Sequence, residues 1–280
     1  MFYTKSIRKR APSTLGNYER SVTRLIDFIG DVPPTTIKIE TIWAFKGHLE
    51  KLGLQSNTVH NSLIAIRNFL KFLNLKNIQA LKYEHIDLPP RTRPDVKYLT
   101  QEEVRILVSS IKKEQLRDYR DIAMIETLFS TGLRVSELTA LNKNIPFKKG
   151  EISIIGKGGV KASVFFSARA IEALDEYLAR RKDHFKPLFI NYYGRKIYSS
   201  SRLTRSGIGG ILAWRGKQAG IKKRVSAHML RHSLATTMVL KGADIYHVKE
   251  IMRHTYVTTT QCYVHIRNKR LKSFHDKYIN

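Results

Sequence analysis

Cysteine is nearly absent. The 280-residue chain holds one, Cys262, so no intrachain disulfide can form and a reducing, cytoplasmic location is expected. No Cys/His cluster has zinc spacing, and neither a metal nor a cofactor is expected. No apolar run approaches the roughly 20 residues of a membrane-spanning helix. The first ten residues, MFYTKSIRKR, lack the apolar stretch of a signal peptide. Acidic residues are also scarce, at 23 Asp+Glu against 50 Lys+Arg, for a formal charge of +27. That surplus exceeds what solubility needs and favours a polyanionic partner, nucleic acid first, with a membrane surface as rival. Residues 1–90 carry 13 Lys+Arg against 7 Asp+Glu; the remainder carries 37 against 16. Both parts can therefore touch a polyanion, the second more densely.

Apolar periodicity fills the first 88 residues with helices. Leu15, Tyr18, Val22, Leu25, Ile26 and Ile29 share one stripe of a helix over 13–29, between Ser13 as cap and Gly30 as stop. A second helix is predicted from Ile39 to Leu52. The third follows Ser56-Asn57, with Val59, Leu63, Ile66, Leu70 and Leu73 in step. A short fourth is predicted over 78–85. Together they suggest a small helical bundle. Residues 89–97 hold three of the eight prolines and read as an extended linker, so domains of 1–88 and 98–280 are expected.

The second domain opens on Thr100-Gln101-Glu102-Glu103, a capping box. A mostly apolar helix over 122–130 runs into TGLRVSEL (131–138), where Gly132 suits a helix C-cap. Arg134 and Glu137 lie three apart, on one side of a helical turn. Residues 151–155 and 160–167 read as strands of a hairpin around Gly156-Lys157-Gly158-Gly159. Helices are predicted over 168–182, 208–219, 227–240 and 243–252. Leu188 to Ile190 reads as a brief strand, and 192–205 as a polar, basic loop, either facing a polyanion or simply solvated. Lys222, Lys223 and Arg224 form a basic cluster with the same two readings. The fold expected is mainly α with a small antiparallel β-sheet.

Chemistry concentrates in residues 226–265: His228-x-x-Arg231, then His254, then Tyr263. Arginine clamps phosphate oxygens in bidentate fashion. Histidine moves protons near neutral pH. A tyrosine hydroxyl can attack phosphorus and remain attached. With Arg134, these are the side chains needed to break a phosphodiester without a metal.

HMLRHS (228–233), His254 and Tyr263 resemble the C-terminal signature of the tyrosine recombinases (phage integrase/Xer type), H-x-L-R-H-[ST], G-H and Y. TGLRVSEL resembles that family's first arginine box, T-G-x-R-x-x-E-[LI]. Arg253 departs from the pattern by standing where the family usually has Gly, a residue favoured where φ is positive. No catalytic group is lost by it. The resemblance implies an N-terminal core-binding bundle that clasps DNA and a C-terminal catalytic domain. It implies Arg134, Lys157, His228, Arg231, His254 and Tyr263 as the catalytic set, with Glu137 supporting the arginines. Lys161 is the rival for the lysine role, and Lys161, Lys222, Lys223 and Arg224 are candidate DNA contacts. The implied activity is site-specific recombination without metal or ATP, through a 3′-phosphotyrosine and a Holliday junction, by a homotetramer on two double-stranded sites. The alternatives are a type IB topoisomerase-like nicking-closing enzyme and a non-catalytic DNA-binding protein. A last helix over 267–278 packs either on its own domain or on a neighbouring protomer.

Overall fold

The computed structural model describes residues 12–88, 96–155, 159, 161–193 and 196–253. Lys157, His254, Cys262, Tyr263, the segment 267–278 and most of the linker lie outside them. The chain divides into two compact units, Met1–Pro94 and Asp95–Asn280.

In the first unit α1 (Pro12–Ile29), α2 (Ile39–Lys51) and α3 (Ser56–Leu75) pack on one another. Val59, Leu63, Ile66, Leu70 and Leu73 of α3 are all buried, against Leu25 of α1 and Ile42, Phe45 and Leu49 of α2. The fourth helix expected over 78–85 does not form. Asn77 turns the backbone with φ +53°, and only the 3-10 turn Tyr83–His85 follows, seating Ile86 in the core. Helical turns there give way to packing of Leu81, Tyr83, Ile86 and Leu88 on the core.

The second unit starts with α4 (Gln101–Ser109). The Thr100 hydroxyl accepts from the Glu103 N–H at 3.1 Å and the Glu103 carboxylate accepts from the Thr100 N–H at 2.7 Å, as the capping box requires. α5 (Leu116–Thr131) is the buried centre, and it begins six residues before the apolar stretch that announces it. α6 (Val135–Ala140) follows. β1 (Glu151–Ile155) and β2 (Lys161–Phe165) pair antiparallel, from Glu151 opposite Phe165 to Ile155 opposite Lys161. α7 (Ala168–Ala179) packs back on α5.

The segment expected to be a loop over 192–205 instead forms much of a second hairpin. β3 (Ile190–Tyr193) pairs with β4 (Lys196–Arg202), with an irregularity between Ile190 and Tyr192. Arg202 fixes this hairpin to the chain after α6, donating to the carbonyls of Thr139 and Leu141 and to Asn142 Oδ1. α8 (Arg205–Gln218), α9 (Ala227–Leu240) and α10 (Ile245–Met252) complete the described chain. Gly216 of α8 lies so close to Val225 that a Cβ would meet its Cγ2 at 2.4 Å, which brings the chain entering α9 against α8. α9 and α10 pack through Ala235, Val239, Val248 and Met252. Four buried charges join α5 to α8. Arg215 Nη2 donates to Asp118 Oδ1 at 2.6 Å and Nε to Asp121 Oδ2 at 2.7 Å. Arg120 holds the other Asp121 oxygen at 2.6 Å and the Ile190 carbonyl at 3.0 Å.

Candidate active site

Three helix ends converge: the C-terminus of α5, the first turn of α9 and the C-terminus of α10. The last helical carbonyls have no intrahelical donor, and a helix C-terminus attracts cations. Here arginines supply both the donors and the charge.

α5 stops at Gly132, whose φ of +57° only glycine adopts freely. A Cβ there would also stand 3.0 Å from Leu234 Cδ2 and 3.2 Å from Met252 Sδ, so the close approach of α9 and α10 needs the missing side chain. Arg134 then precedes α6, and Glu137 closes the turn. The Glu137 carboxylate accepts the Arg134 N–H at 2.8 Å through Oε2 and Arg134 Nη1 at 2.9 Å through Oε1. The other terminal nitrogen, Arg134 Nη2, donates to the Arg253 carbonyl at 3.0 Å. Arg134 keeps about a third of its side chain exposed (35%), while Glu137 is 9% exposed. The carboxylate therefore orients the guanidinium from behind.

Arg231, one turn into α9, is 3% exposed. Its Nη1 donates to the Gly132 carbonyl and its Nη2 to the Met252 carbonyl. The carbonyls of the successive residues Met252 and Arg253 thus receive Arg231 and Arg134, and this sets the two guanidiniums side by side. Arg253 itself is left-handed, φ +52° and ψ +47°, although it bears a side chain. The backbone there takes the positive φ that a glycine would favour.

His228 stands at the start of α9 with an exposed ring. Partial loss of water, then repulsion by Arg231 and Arg134, lowers its pKa below the usual 6.5. His232 lies edge-on to it, ring centroids 4.2 Å apart at 78°. Burial, His228 and Arg231 push His232 down to about 4. Burial alone would raise the Glu137 pKa, but the Arg134 N–H, the Arg134 side chain and the Arg253 charge together hold it below 4.5. At neutral pH the site therefore carries cationic arginines, an ionised carboxylate and neutral histidines.

A pH dependence follows. An unfolded chain protonates its histidines near 6.5, whereas folded His232 resists until about 4. The unfolded state binds more protons in that window, so stability is present above 6.5 and is lost as pH falls towards 4. Glu126, whose pKa burial raises, acts in the opposite sense. The difference between the parent and His232→Gln isolates the histidine. Urea midpoints between pH 7.5 and 4.5 should fall less steeply for the variant; parallel curves would contradict the assignment.

The four basic candidates differ. Lys161, Lys222 and Arg224 are exposed. Lys223 is committed to the fold: its Nζ lies 2.8 Å from both Glu103 oxygens and 3.0 Å from the Tyr98 carbonyl. This ties the start of α4 to the chain before α9, a use the basic cluster alone did not reveal. Among the described residues no group of three or more His, Cys, Asp or Glu could hold a metal ion, and no helix is long and apolar enough to cross a membrane.

Comparison with known proteins bears on the whole chain. Residues 97–270 match the phage integrase family, and residues 2–77 match the phage integrase N-terminal SAM-like domain. The chain is 33% identical to tyrosine recombinase XerD of Oceanobacillus iheyensis, over 97% of this chain and 93% of that protein. It is 31% identical to tyrosine recombinase XerC of Pelobacter propionicus, over 96% and 90%. Among solved structures it resembles XerH site-specific recombinase bound to palindromic difH substrate in a post-cleavage complex. The TM-score is 0.78 at 23% identity, covering 99% of this chain and 83% of that one. A lambda integrase dimer bound to a COC′ core site is similar at TM-score 0.72 and 16% identity, over 93% and 92%.

Proposed function

Because this chain belongs to the phage integrase family of tyrosine recombinases, we propose that Arg134, Lys157, His228, Arg231, His254 and Tyr263 are its catalytic groups. The enzyme is a site-specific DNA recombinase. It binds a recombination site, breaks a strand through a 3′-phosphotyrosine, exchanges strands through a Holliday junction and rejoins them. Similarity along nearly the whole chain to recombinases does not favour the topoisomerase-like alternative.

The observation that carries the assignment is the pairing of Arg134 and Arg231 on adjacent carbonyls, with Glu137 behind the first. A phosphodiester anion held there is attracted by both guanidinium charges, and Arg134, a third exposed, can donate to its non-bridging oxygens. Attack by the Tyr263 oxygen forms a Tyr–O–P bond, and the charge that builds on those oxygens is stabilised where it develops. The P–O5′ bond breaks and the leaving oxygen takes a proton, with Lys157 as donor. The phenol proton goes to a neutral neighbour, for which His228 and His254 are candidates. A 5′-hydroxyl from a second duplex then attacks the phosphotyrosine in reverse, so bond energy is conserved without ATP. Lys161, Lys222 and Arg224 add phosphate contacts, whereas Lys223 is structural. The N-terminal unit clasps the duplex. The working form is a homotetramer on two sites in the cytoplasm, with residues 267–278 docking on a neighbouring protomer.

The test is a nicked duplex whose short 5′ segment diffuses away after cleavage, trapping the intermediate. A covalent adduct is expected, with no metal added; its absence overturns the catalytic assignment. Arg231→Ala should lower the rate of adduct formation about 10²- to 10³-fold. It should also destabilise the fold, because each abandoned buried carbonyl costs about 1–3 kcal/mol. Rates normalised to the folded fraction separate the two effects.

A further inference from the structure

Arg253 combines two features that each work against it. Its backbone is left-handed, a region that residues with a Cβ seldom occupy. Its guanidinium is buried, with the side chain only 9% exposed. Strain and a desolvated charge at one residue are retained where surrounding contacts fix them, and such outliers cluster at functional sites.

The contacts are specific. Arg253 Nη2 lies 3.2 Å from Glu137 Oε2 and donates to the Gly132 carbonyl at 3.1 Å. Nη1 reaches the carbonyls of Ile251 at 3.2 Å and Thr131 at 3.4 Å. Its own carbonyl holds Arg134 Nη2 at 3.0 Å. The residue therefore grips Arg134 twice, directly through its carbonyl and indirectly through Glu137. A glycine could supply the first grip but not the second. Glu137 Oε2 is shared between the Arg134 N–H and Arg253, while Oε1 serves Arg134 Nη1. Removing the Arg253 guanidinium frees one side of that carboxylate to rotate away from the Arg134 it orients.

Charge points the same way. Arg134, Arg231 and Arg253 against Glu137 leave an excess of two positive charges. A phosphodiester under attack by phenolate becomes a dianion at the non-bridging oxygens, so the cluster matches the transition state rather than the monoanionic ground state.

We infer that Arg253 is a positioning residue: its buried guanidinium holds Glu137, and through Glu137 it sets the Arg134 guanidinium to meet the scissile phosphate. This rests on the catalytic assignment of Arg134 and Tyr263 above. Because Arg253 Nε is buried with no hydrogen-bond partner among the described residues, a lysine can reproduce the Glu137 ion pair while losing mainly carbonyl contacts.

The experiment compares Arg253→Gly and Arg253→Lys with the parent and with Tyr263→Phe on the nicked duplex. It measures the single-turnover rate, intact-duplex affinity and thermal midpoint of the full chain. Arg253→Gly should slow adduct formation about 10- to 100-fold with affinity within about threefold. Arg253→Lys should recover most of that loss. Millimolar guanidinium should accelerate the glycine variant and not the parent. The acid limb of the glycine variant's rate should also move to higher pH, because Glu137 loses a cation that keeps it ionised. If Arg253→Gly cleaves at the parental rate, or if its loss follows the unfolded fraction with no rescue and an unmoved acid limb, the inference is overturned. An adduct from Tyr263→Phe overturns the catalytic assignment instead.

Discussion

Replacing Tyr263 with phenylalanine is expected to abolish the covalent adduct, a loss of about 10⁴-fold or more in rate. Intact-duplex binding should stay within about threefold, because phosphate contacts by lysine and arginine dominate affinity. The substitution removes one oxygen and preserves ring volume, so a folded protein is expected. A free phenol, with a reference pKa near 10, is only about 0.3% ionised at pH 7.5. If Tyr263 is delivered to the arginines as proposed, the excess positive charge around Glu137 favours the phenolate, and the lowered His228 pKa leaves neutral imidazole to take the proton.

Two outcomes discriminate. Tyr256 lies seven residues earlier in the same segment, and Thr258 to Thr260 are also nucleophilic in principle. Phenylalanine at 256 should leave the adduct intact. If instead the adduct survives at Tyr263→Phe, peptide mapping of the trapped species identifies the true nucleophile and the assignment fails. A second readout is salt. Raising ionic strength should weaken binding of parent and variant in parallel, since the substitution removes no cation that neutralises a phosphate.

Much of this site was legible in the chain because its chemistry is local. Gly132, Arg134 and Glu137 fall within six residues, and cap, cation and carboxylate must then meet in one turn. His228 and Arg231 share a helical face for the same reason. What spacing could not reveal was where the donors go. That Arg231 and Arg134 reach the carbonyls of Met252 and Arg253 depends on how α5, α9 and α10 meet, which is a tertiary fact. Arg253 stood out in sequence only as a departure from glycine. Its side chain could as well have been solvated, and its grip on Glu137 exists only because the turn points it inward.

The misread elements have physical causes too. Residues 196–202 alternate too little in hydrophobicity to announce a strand, yet their ladder partner is β3, which a sequence pattern cannot see. The expected helix over 122–130 leaves out Leu116 to Asp121, because that run holds two arginines and two aspartates and breaks the apolar pattern. Charged residues enter a core only when paired. Here their partner, Arg215, is 94 residues from Asp121. The third helix of the first unit was transparent by contrast, since its apolar stripe keeps helical period and is buried throughout, although His60 and Ser62, which the stripe does not include, are buried with it.

That buried cluster supports the other large effect. Arg215→Ala should destabilise the second unit by about 3–5 kcal/mol, because it strands carboxylates beneath α8 without their counter-charge. In a unit of this size that lowers the thermal midpoint by roughly 10 °C. The Arg215 and Asp121 side chains are 8% and 3% exposed, so water cannot replace the lost donors. Arg120 offsets part of the cost, since it already holds Asp121 Oδ1, and Asp118 therefore suffers most. Arg215→Lys should lose less, because one ammonium can follow one aspartate but cannot bridge both. A cycle with Asp118→Asn decides whether pairing or packing is at stake. If the ion pair carries the effect, the double variant is more stable than the sum of the two single losses implies, since neutral asparagine needs no cation. Additive losses would instead assign the role of Arg215 to its stacking over Trp214, 4.5 Å from ring centroid to guanidinium, and to the volume it fills.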